Sequence, residues 1–383
     1  MRDNLLARIL KKMGIYQEGK LDISFLSFVL LLLAVGLVML FSSSYAYGLA
    51  QYGNSYHFII RQAIFAVVGV LLMLFLSRID ARVYRKFSLV IYVISVLMLI
   101  LVLALPPLQE GMEHKRWLVI GSFSFQPSEI AKFAVILLFS HLIAKFGKKM
   151  EKLKYVGILM LLLILVCGLV VVETHLSATI LILTIGVVLM IVGGMAIKYI
   201  VAGGVSLVVG VILVVVTGLV EYASSRFTYW LDPWADATGA GYQTIQSLLA
   251  IGSGGLWGRG IGQSRQKYSW LPEPHNDFIF AVVCEELGLI GAIAIVLLFC
   301  FLIWRGFKIA MTSPDRYRSL MAVGLTFQVA LQAALNIMVV TNTIPNTGIS
   351  LPFFSYGGTA LVILLCEMGI VLSISRSANL EKV

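Results

Sequence analysis

Three carboxylates beside an apolar stretch are the groups in this chain best placed to do chemistry. Leu271–Gly288 reads LPEPHNDFIFAVVCEELG, with Asp277 where a polar loop becomes an apolar helix and Glu285 and Glu286 deeper in it. Acids at the mouth of a membrane segment are costly to place and tend to carry function. Asp277 suits two roles that are compatible: an N-cap, with Asn276 as its rival, or a general base in a partly desolvated cavity. Glu286 follows Asp277 by nine residues and falls on the opposite helix face, so it is expected to pair with a neighbouring helix. Glu285 is open on the same evidence of spacing.

The second charged constellation is Glu129 and Lys132, three residues apart and therefore adjacent on one helix face. They form an intramembrane ion pair, and their position just after Pro127 lets the pair also line a cavity. Arg61 begins another apolar stretch, as an interfacial snorkeller or as a further cavity cation. Arg226, Arg259, Arg265 and Lys267 lie among aromatics and glycines in one polar loop. They fit either a solvated basic loop or recognition of a pyrophosphate, and the glycines match neither GxGxxG nor a Walker loop. The four cysteines (Cys167, Cys284, Cys300, Cys366) are scattered within apolar segments and read as small core residues. The five histidines show no metal-ligand spacing, so no metal site declares itself.

The elements that must position these groups are membrane helices. The chain has 383 residues, 60% hydrophobic and 13% charged, with a mean hydropathy of +0.96. That excludes a soluble domain. An all-α polytopic membrane protein is expected, with ten spans of the length a bilayer needs. They are Ile23–Phe41, Phe58–Leu76, Phe87–Leu105, Ser128–Phe146, Tyr155–Val172, Leu176–Val192, Tyr199–Val220, Phe278–Trp304, Leu320–Val340 and Ser355–Ser375. Residues 23–375 form one integral domain between a basic N-terminal tail, 1–22, and a short C-terminal tail, 376–383.

Charge sets the expected orientation. Of 29 Lys and Arg residues, 21 fall on the side that holds both termini and six on the other. The positive-inside rule then puts both termini in the cytoplasm, and the net charge of +10 needs no nucleic acid to explain it. Asp277 faces outward on this topology. So does the long loop 221–276 between spans seven and eight, whose aromatics suit the membrane interface. Short helices on the outer leaflet are expected there, with Gly252–Gly262 as a mobile connector. No ATP is available outside the cell, so an enzyme at this site needs a substrate that carries its own activation. A lipid-linked pyrophosphate sugar fits the base, the cations and the aromatics together. An outer-leaflet transferase and a lipid transporter both satisfy these residues.

At these residues the chain closely resembles the SEDS family of bacterial cell-wall proteins (FtsW, RodA and SpoVE), over essentially its whole length. The most specific blocks are RWLVIGSFSFQPSEIAKF (Arg116–Phe133), GYQTIQSLLAIGSGGLWGRGIGQSRQK (Gly241–Lys267), Leu271–Gly288 itself, and IPNTGISLPFFSYGGTALV (Ile344–Val362). Ser42–Tyr45, Arg61-Gln62 and Ser77–Asp80 lean toward FtsW or SpoVE. The resemblance implies a peptidoglycan glycosyltransferase that polymerises lipid II on the outer face of the bacterial plasma membrane, at the septum for a division member.

It also implies that Asp277 is the catalytic base. The acceptor N-acetylglucosamine 4-hydroxyl attacks the anomeric carbon of the lipid-linked N-acetylmuramic acid. Undecaprenyl pyrophosphate leaves with inversion to give a β-1,4 link. The family's intramembrane salt bridge falls on Glu129 and Lys132. Lys132, Arg61, Arg259, Lys267 and His275 are the candidates for the pyrophosphate and lipid site, and Glu285 and Glu286 are helix-packing acids. Mg²⁺ or another divalent cation is expected to assist the leaving group, with no organic cofactor. The expected partners are a class B penicillin-binding protein and other divisome or elongasome proteins. The chain departs from the family's usual pattern at Glu173–Ala178, where a QPDLGT-like stretch is common, and at Glu113–Lys115, before Arg116-Trp117. A lipid II flippase and a non-catalytic scaffold that activates its transpeptidase are the alternatives. The clustering of intramembrane charge at outer span ends favours chemistry.

Overall fold

A computed structural model describes residue 11 and residues 15–105, 116–120, 123–204, 229–239, 241–268 and 270–379. The chain is mostly helical: α1 Ile23–Tyr52, α2 His57–Leu76, α3 Arg82–Ala104, α4 Pro127–Phe146, α5 Leu153–Val172 and α6 Leu176–Val192, then α7 Tyr242–Gly254, α8 Ile279–Met311, α9 Arg316–Val340 and α10 Gly358–Ser375. Eight of these (α1–α5 and α8–α10) are long and apolar enough to cross a membrane, and α6 is a shorter apolar helix. Most of the expected span Tyr199–Val220 lies outside the described residues, as do Lys115, Arg226 and the Glu113–Lys115 departure; residues 197–204 are helical. One exception to an all-helical chain is a small antiparallel hairpin, β1 Leu118–Ile120 with β2 Phe123–Phe125, pairing Leu118 with Phe125.

Local chemistry sets the helix ends. Asp22 caps α1 by accepting from the Phe25 N–H at 3.0 Å, and Asp315 caps α9 through the Arg318 N–H at 3.0 Å. Pro127 opens α4, where a missing N–H costs nothing. The helix α1 runs eleven residues beyond the span read from sequence, because Ser42–Tyr52 stays helical until Gly53 adopts a left-handed φ of 63°. Apolar residues cover both faces of α2 and α3. Those turned outward, such as Val67 and Leu97, are largely exposed, as expected of lipid-facing surface.

The core is formed where α4 packs on α3, α6 and α9, and where α8 packs on α1, α7 and α9; α10 lies along α2. Cys167 and Cys284 are buried in it as expected, but Cys300 is exposed on α8 and is not a core residue. The two ends of the bundle differ. At one end, ion pairs tie Arg305 to Asp22 and Arg318 to Asp80, both at 2.8 Å. The other end opens into a cavity.

Within α8, Gly288 has φ 67° and ψ −171°, which breaks the helix. The loop 254–260 fills that break with its own backbone. Arg259 and Gly260 donate to the Glu285 and Glu286 carbonyls at 3.0 and 2.9 Å, while Leu289 and Ile290 donate to the Gly255 and Leu256 carbonyls. The glycine-rich segment expected to be a mobile connector is thus fixed to α8, because a broken membrane helix must have its freed backbone groups satisfied. The helix α7 is one short helix in the long loop, where short helices are expected.

Candidate active site: a cavity around Asp277

The cavity has a volume of about 900 Å³. It is walled by the N-terminal ends of α2, α4, α6 and α10, the hairpin, and the loops that precede α8 and α10. Asp277, Arg61, Glu129 and Lys132 all line it, so the structure brings these residues together across more than two hundred positions of sequence.

Two clasped loops hold Asp277. From α9, Asn336 donates through Nδ2 to the Asp277 carbonyl at 2.8 Å and to the Ile349 carbonyl at 2.6 Å. Ser355 donates to the Asn276 carbonyl at 2.7 Å, and the Tyr356 N–H donates to the His275 carbonyl at 2.9 Å. Buried Gln62, next to Arg61 on α2, bonds the Ser355 carbonyl and the Gly357 N–H, both at 3.2 Å. The backbone around Asp277 is therefore fixed from three sides, while its carboxylate has no hydrogen bond or ion pair among the described residues. Burial pushes that carboxyl up to about 6, with Glu273 adding to the rise and Arg116 opposing it. Asp277 is not an N-cap: Phe278 occupies that position with no side-chain cap, and Asn276 bonds Glu273 Oε2 at 2.6 Å instead.

The Lys132 ammonium, almost fully buried, lies 2.8 Å from Glu129 and 3.4 Å from Gln332 Oε1. The Lys132–Glu129 pair lines the cavity together with Arg61 and Arg116. The Arg116 guanidinium bonds the Glu173 carbonyl at 3.5 Å and the Thr174 carbonyl. Such an arrangement suits an anion bearing several oxygens.

The other three candidates for a pyrophosphate site are elsewhere. Lys267 is buried against Glu286 at 2.8 Å and donates to Ser42 Oγ of α1 at 3.1 Å. Arg259 reaches Glu285 at 3.6 Å. His275 packs in an aromatic nest, its ring centroid 4.5 Å from Phe58 and 5.0 Å from Tyr47, and burial lowers it to about 4. None of the three lines the cavity. For Lys267 and Arg259 a buried carboxylate is the partner that sequence spacing alone left open. Glu285 and Glu286 are packing acids, as expected, but their partners are mainly the loop. Glu285 accepts from Ser264 Oγ at 2.6 Å and the Arg265 N–H at 2.9 Å, and Glu286 from Ser42 at 2.7 Å and Lys267.

The sequence reading missed Arg116, His175, Gln126 and Glu273 as lining residues. All four sit in stretches noted for other reasons: Arg116 and Gln126 in RWLVIGSFSFQPSEIAKF, Glu273 in Leu271–Gly288, and His175 in the departure at Glu173–Ala178.

A bundle of apolar helices with a half-buried, unpaired carboxylate facing cations in a large cavity defines a polytopic membrane protein equipped to act on an anionic ligand. The chain belongs to the FtsW/RodA/SpoVE family of cell cycle proteins, whose model matches residues 23–380. Stage V sporulation protein E of Bacillus subtilis is 39% identical over 366 residues, covering 93% of this chain and 97% of that protein. A probable peptidoglycan glycosyltransferase FtsW of a Geobacter species is 33% identical over 358 residues, covering 92% of this chain and 96% of that protein. Among solved structures, a chain of a peptidoglycan synthase complex that coordinates polymerization and crosslinking superposes with a TM-score of 0.78 at 28% identity, covering 93% of this chain and 98% of that one. The rod shape determining protein RodA of Thermus thermophilus superposes with a TM-score of 0.69 at 25% identity, covering 94% and 98%.

Proposed function

We propose that this protein is a peptidoglycan glycosyltransferase that polymerises lipid II, with Asp277 as general base. One observation carries the proposal: an ionisable carboxylate with no hydrogen-bond or ion-pair partner among the described residues, raised to about 6, in the cavity that Arg61, Arg116 and Lys132 also line. A base near neutrality, unspent on any salt bridge, is what deprotonation of a sugar hydroxyl needs. Asp277 takes the proton of the acceptor N-acetylglucosamine 4-hydroxyl as its oxygen attacks the anomeric carbon of the lipid-linked N-acetylmuramic acid. The bond from that carbon to the pyrophosphate breaks with inversion, leaving a β-1,4 link and undecaprenyl pyrophosphate. Arg61, Arg116 and Lys132 offset the pyrophosphate charge.

Among the described residues no group of three or more His, Cys, Asp or Glu is arranged to hold a metal. The described residues do not fit a protein-held cation, so no step is drawn through one. Mg²⁺ or another divalent cation is proposed only as a companion of the substrate pyrophosphate.

In this reading both termini are cytoplasmic, ten helices span the bacterial plasma membrane, and the cavity opens outward. The reaction serves wall synthesis in division, cell shape or sporulation. A class B penicillin-binding protein crosslinks the product and works beside this chain, with other divisome or elongasome proteins.

The test is direct. The protein, purified with a class B penicillin-binding protein, is given lipid II and a divalent cation, and glycan polymer is resolved on a gel. Polymer from the unmodified protein and none from Asp277→Asn or Asp277→Ala is expected. Undiminished polymer from either variant would remove Asp277 from the reaction. Lipid translocation without polymer would establish a flippase, and neither activity would leave a scaffold for the transpeptidase.

A further inference from the structure

His175 immediately precedes α6 and lines the same cavity as Asp277. Its Nδ1 faces the side-chain Nε2 of Gln126 at 3.2 Å and the hydroxyl of Ser128 at 3.4 Å. An amide nitrogen can only donate, so Nδ1 accepts and the neutral ring carries its proton on Nε2. Nε2 itself has no hydrogen-bond partner among the described residues. Burial, reinforced by the Arg116 and Lys132 charges, pushes the ring down to about 3, so it is neutral at every pH of interest. The ring thus presents one fixed, uncharged N–H donor, held from behind, in a cavity that Arg61, Arg116 and Lys132 also line.

We propose that His175 is a substrate-binding residue whose Nε2–H donates to an anionic pyrophosphate oxygen of the lipid-linked substrate, between the charges of Arg116 and Lys132. The inference rests on the glycosyltransferase reading for the identity of the ligand. A neutral donor orients a phosphate oxygen without adding to the charge that would hold the departing pyrophosphate. A hydrogen bond to a charged oxygen is stronger than one between neutral groups, and its loss is read as about a tenfold weakening. Gln126 and Ser128 act one step back, as positioning residues that fix the tautomer.

The experiment uses undecaprenyl pyrophosphate as the probe, titrated onto the full-length protein in lipid nanodiscs, together with steady-state polymerisation of lipid II. His175→Phe keeps a planar ring and removes the donor. It is expected to weaken probe binding about tenfold and raise the KM for lipid II by a similar factor, with kcat within about twofold. His175→Gln places an amide N–H near the lost Nε2–H and is expected to recover binding to within about threefold. Ser128→Ala, which leaves the ring in place, is expected to weaken binding about threefold, and it decides the matter if His175→Phe does not fold. Unchanged binding and KM in both His175→Phe and Ser128→Ala would overturn the proposal, as would a loss confined to kcat. Unmodified protein that binds the probe and makes no polymer would sink the glycosyltransferase reading while leaving the His175 comparison intact.

Discussion

The Asp277 carboxyl sits in conflict between stability and use. Burial favours its protonated form, so the ionised base costs folding free energy at neutral pH. A carboxyl whose folded pKa lies above its unfolded value of 3.8 stabilises the fold below that value, and this contribution is lost as pH rises through about 6. Two outcomes follow from one cause. Polymerisation limited by the chemical step should rise with pH through about 6 and then level off, because the base must be unprotonated; a rate that falls over that interval would contradict the assignment. Asp277→Asn, which never ionises, should abolish polymer and raise the melting midpoint at pH 7.5. Gly348 offers a steric test of the same site. It has φ 66°, and a Cβ there would stand 3.1 Å from Asp277 Oδ2. Gly348→Ala should therefore lower kcat at least tenfold, measured by the same gel, with the protein still folded. Asp277 was legible as a candidate because a carboxylate beside an apolar run is conspicuous. His175 and Arg116 were not, because their relation to Asp277 is created by packing between segments that sequence spacing does not connect.

At the scale of elements, α8 is two half-helices joined at Gly288, and the first half carries Asp277 just before its start. Its far end is fixed by Glu285 and Glu286, which hold the backbone and side chains of residues 264–267. The side chains of Lys267 and Glu286 are 2% and 0% exposed, so the pair has no water to fall back on. Removing one partner strands a buried charge, at a cost of about 3–5 kcal/mol. Lys267→Met should lower the melting midpoint sharply, and adding Glu286→Gln should restore part of the loss. No recovery in the double variant would show that Lys267 acts otherwise than through Glu286. The apolar periods of the spans gave α6 its bounds, Leu176–Val192, and most others to within a few residues. The break at Gly288 left no trace in hydropathy, since glycine is ordinary in membrane helices and only the left-handed φ betrays it. For the same reason Arg259 and Lys267 read as loop cations available to a ligand, when Glu285 and Glu286 on the following helix pair with them.

Across the whole molecule the two ends of the bundle carry different chemistry. One end is closed by Asp22, Asp80, Arg305 and Arg318 in paired contacts, and the other holds the cavity. In the proposed reading, the bias of 21 basic residues to six puts the closed end in the cytoplasm and the cavity outside. That orientation is what denies the reaction a nucleotide and requires an activated lipid, so the functional proposal depends on it. Single cysteines placed in a background where Cys167, Cys284, Cys300 and Cys366 are replaced can check it. Trp257 lies in the loop before α8 and is 81% exposed, and Lys148 is exposed between α4 and α5. In intact cells stripped of any outer membrane, a membrane-impermeant maleimide should label Trp257→Cys at once and Lys148→Cys only after permeabilisation. The reverse pattern would turn the cavity toward the cytoplasm, where nucleotides abound, and would remove the reason for choosing a lipid-linked pyrophosphate over any other anionic donor.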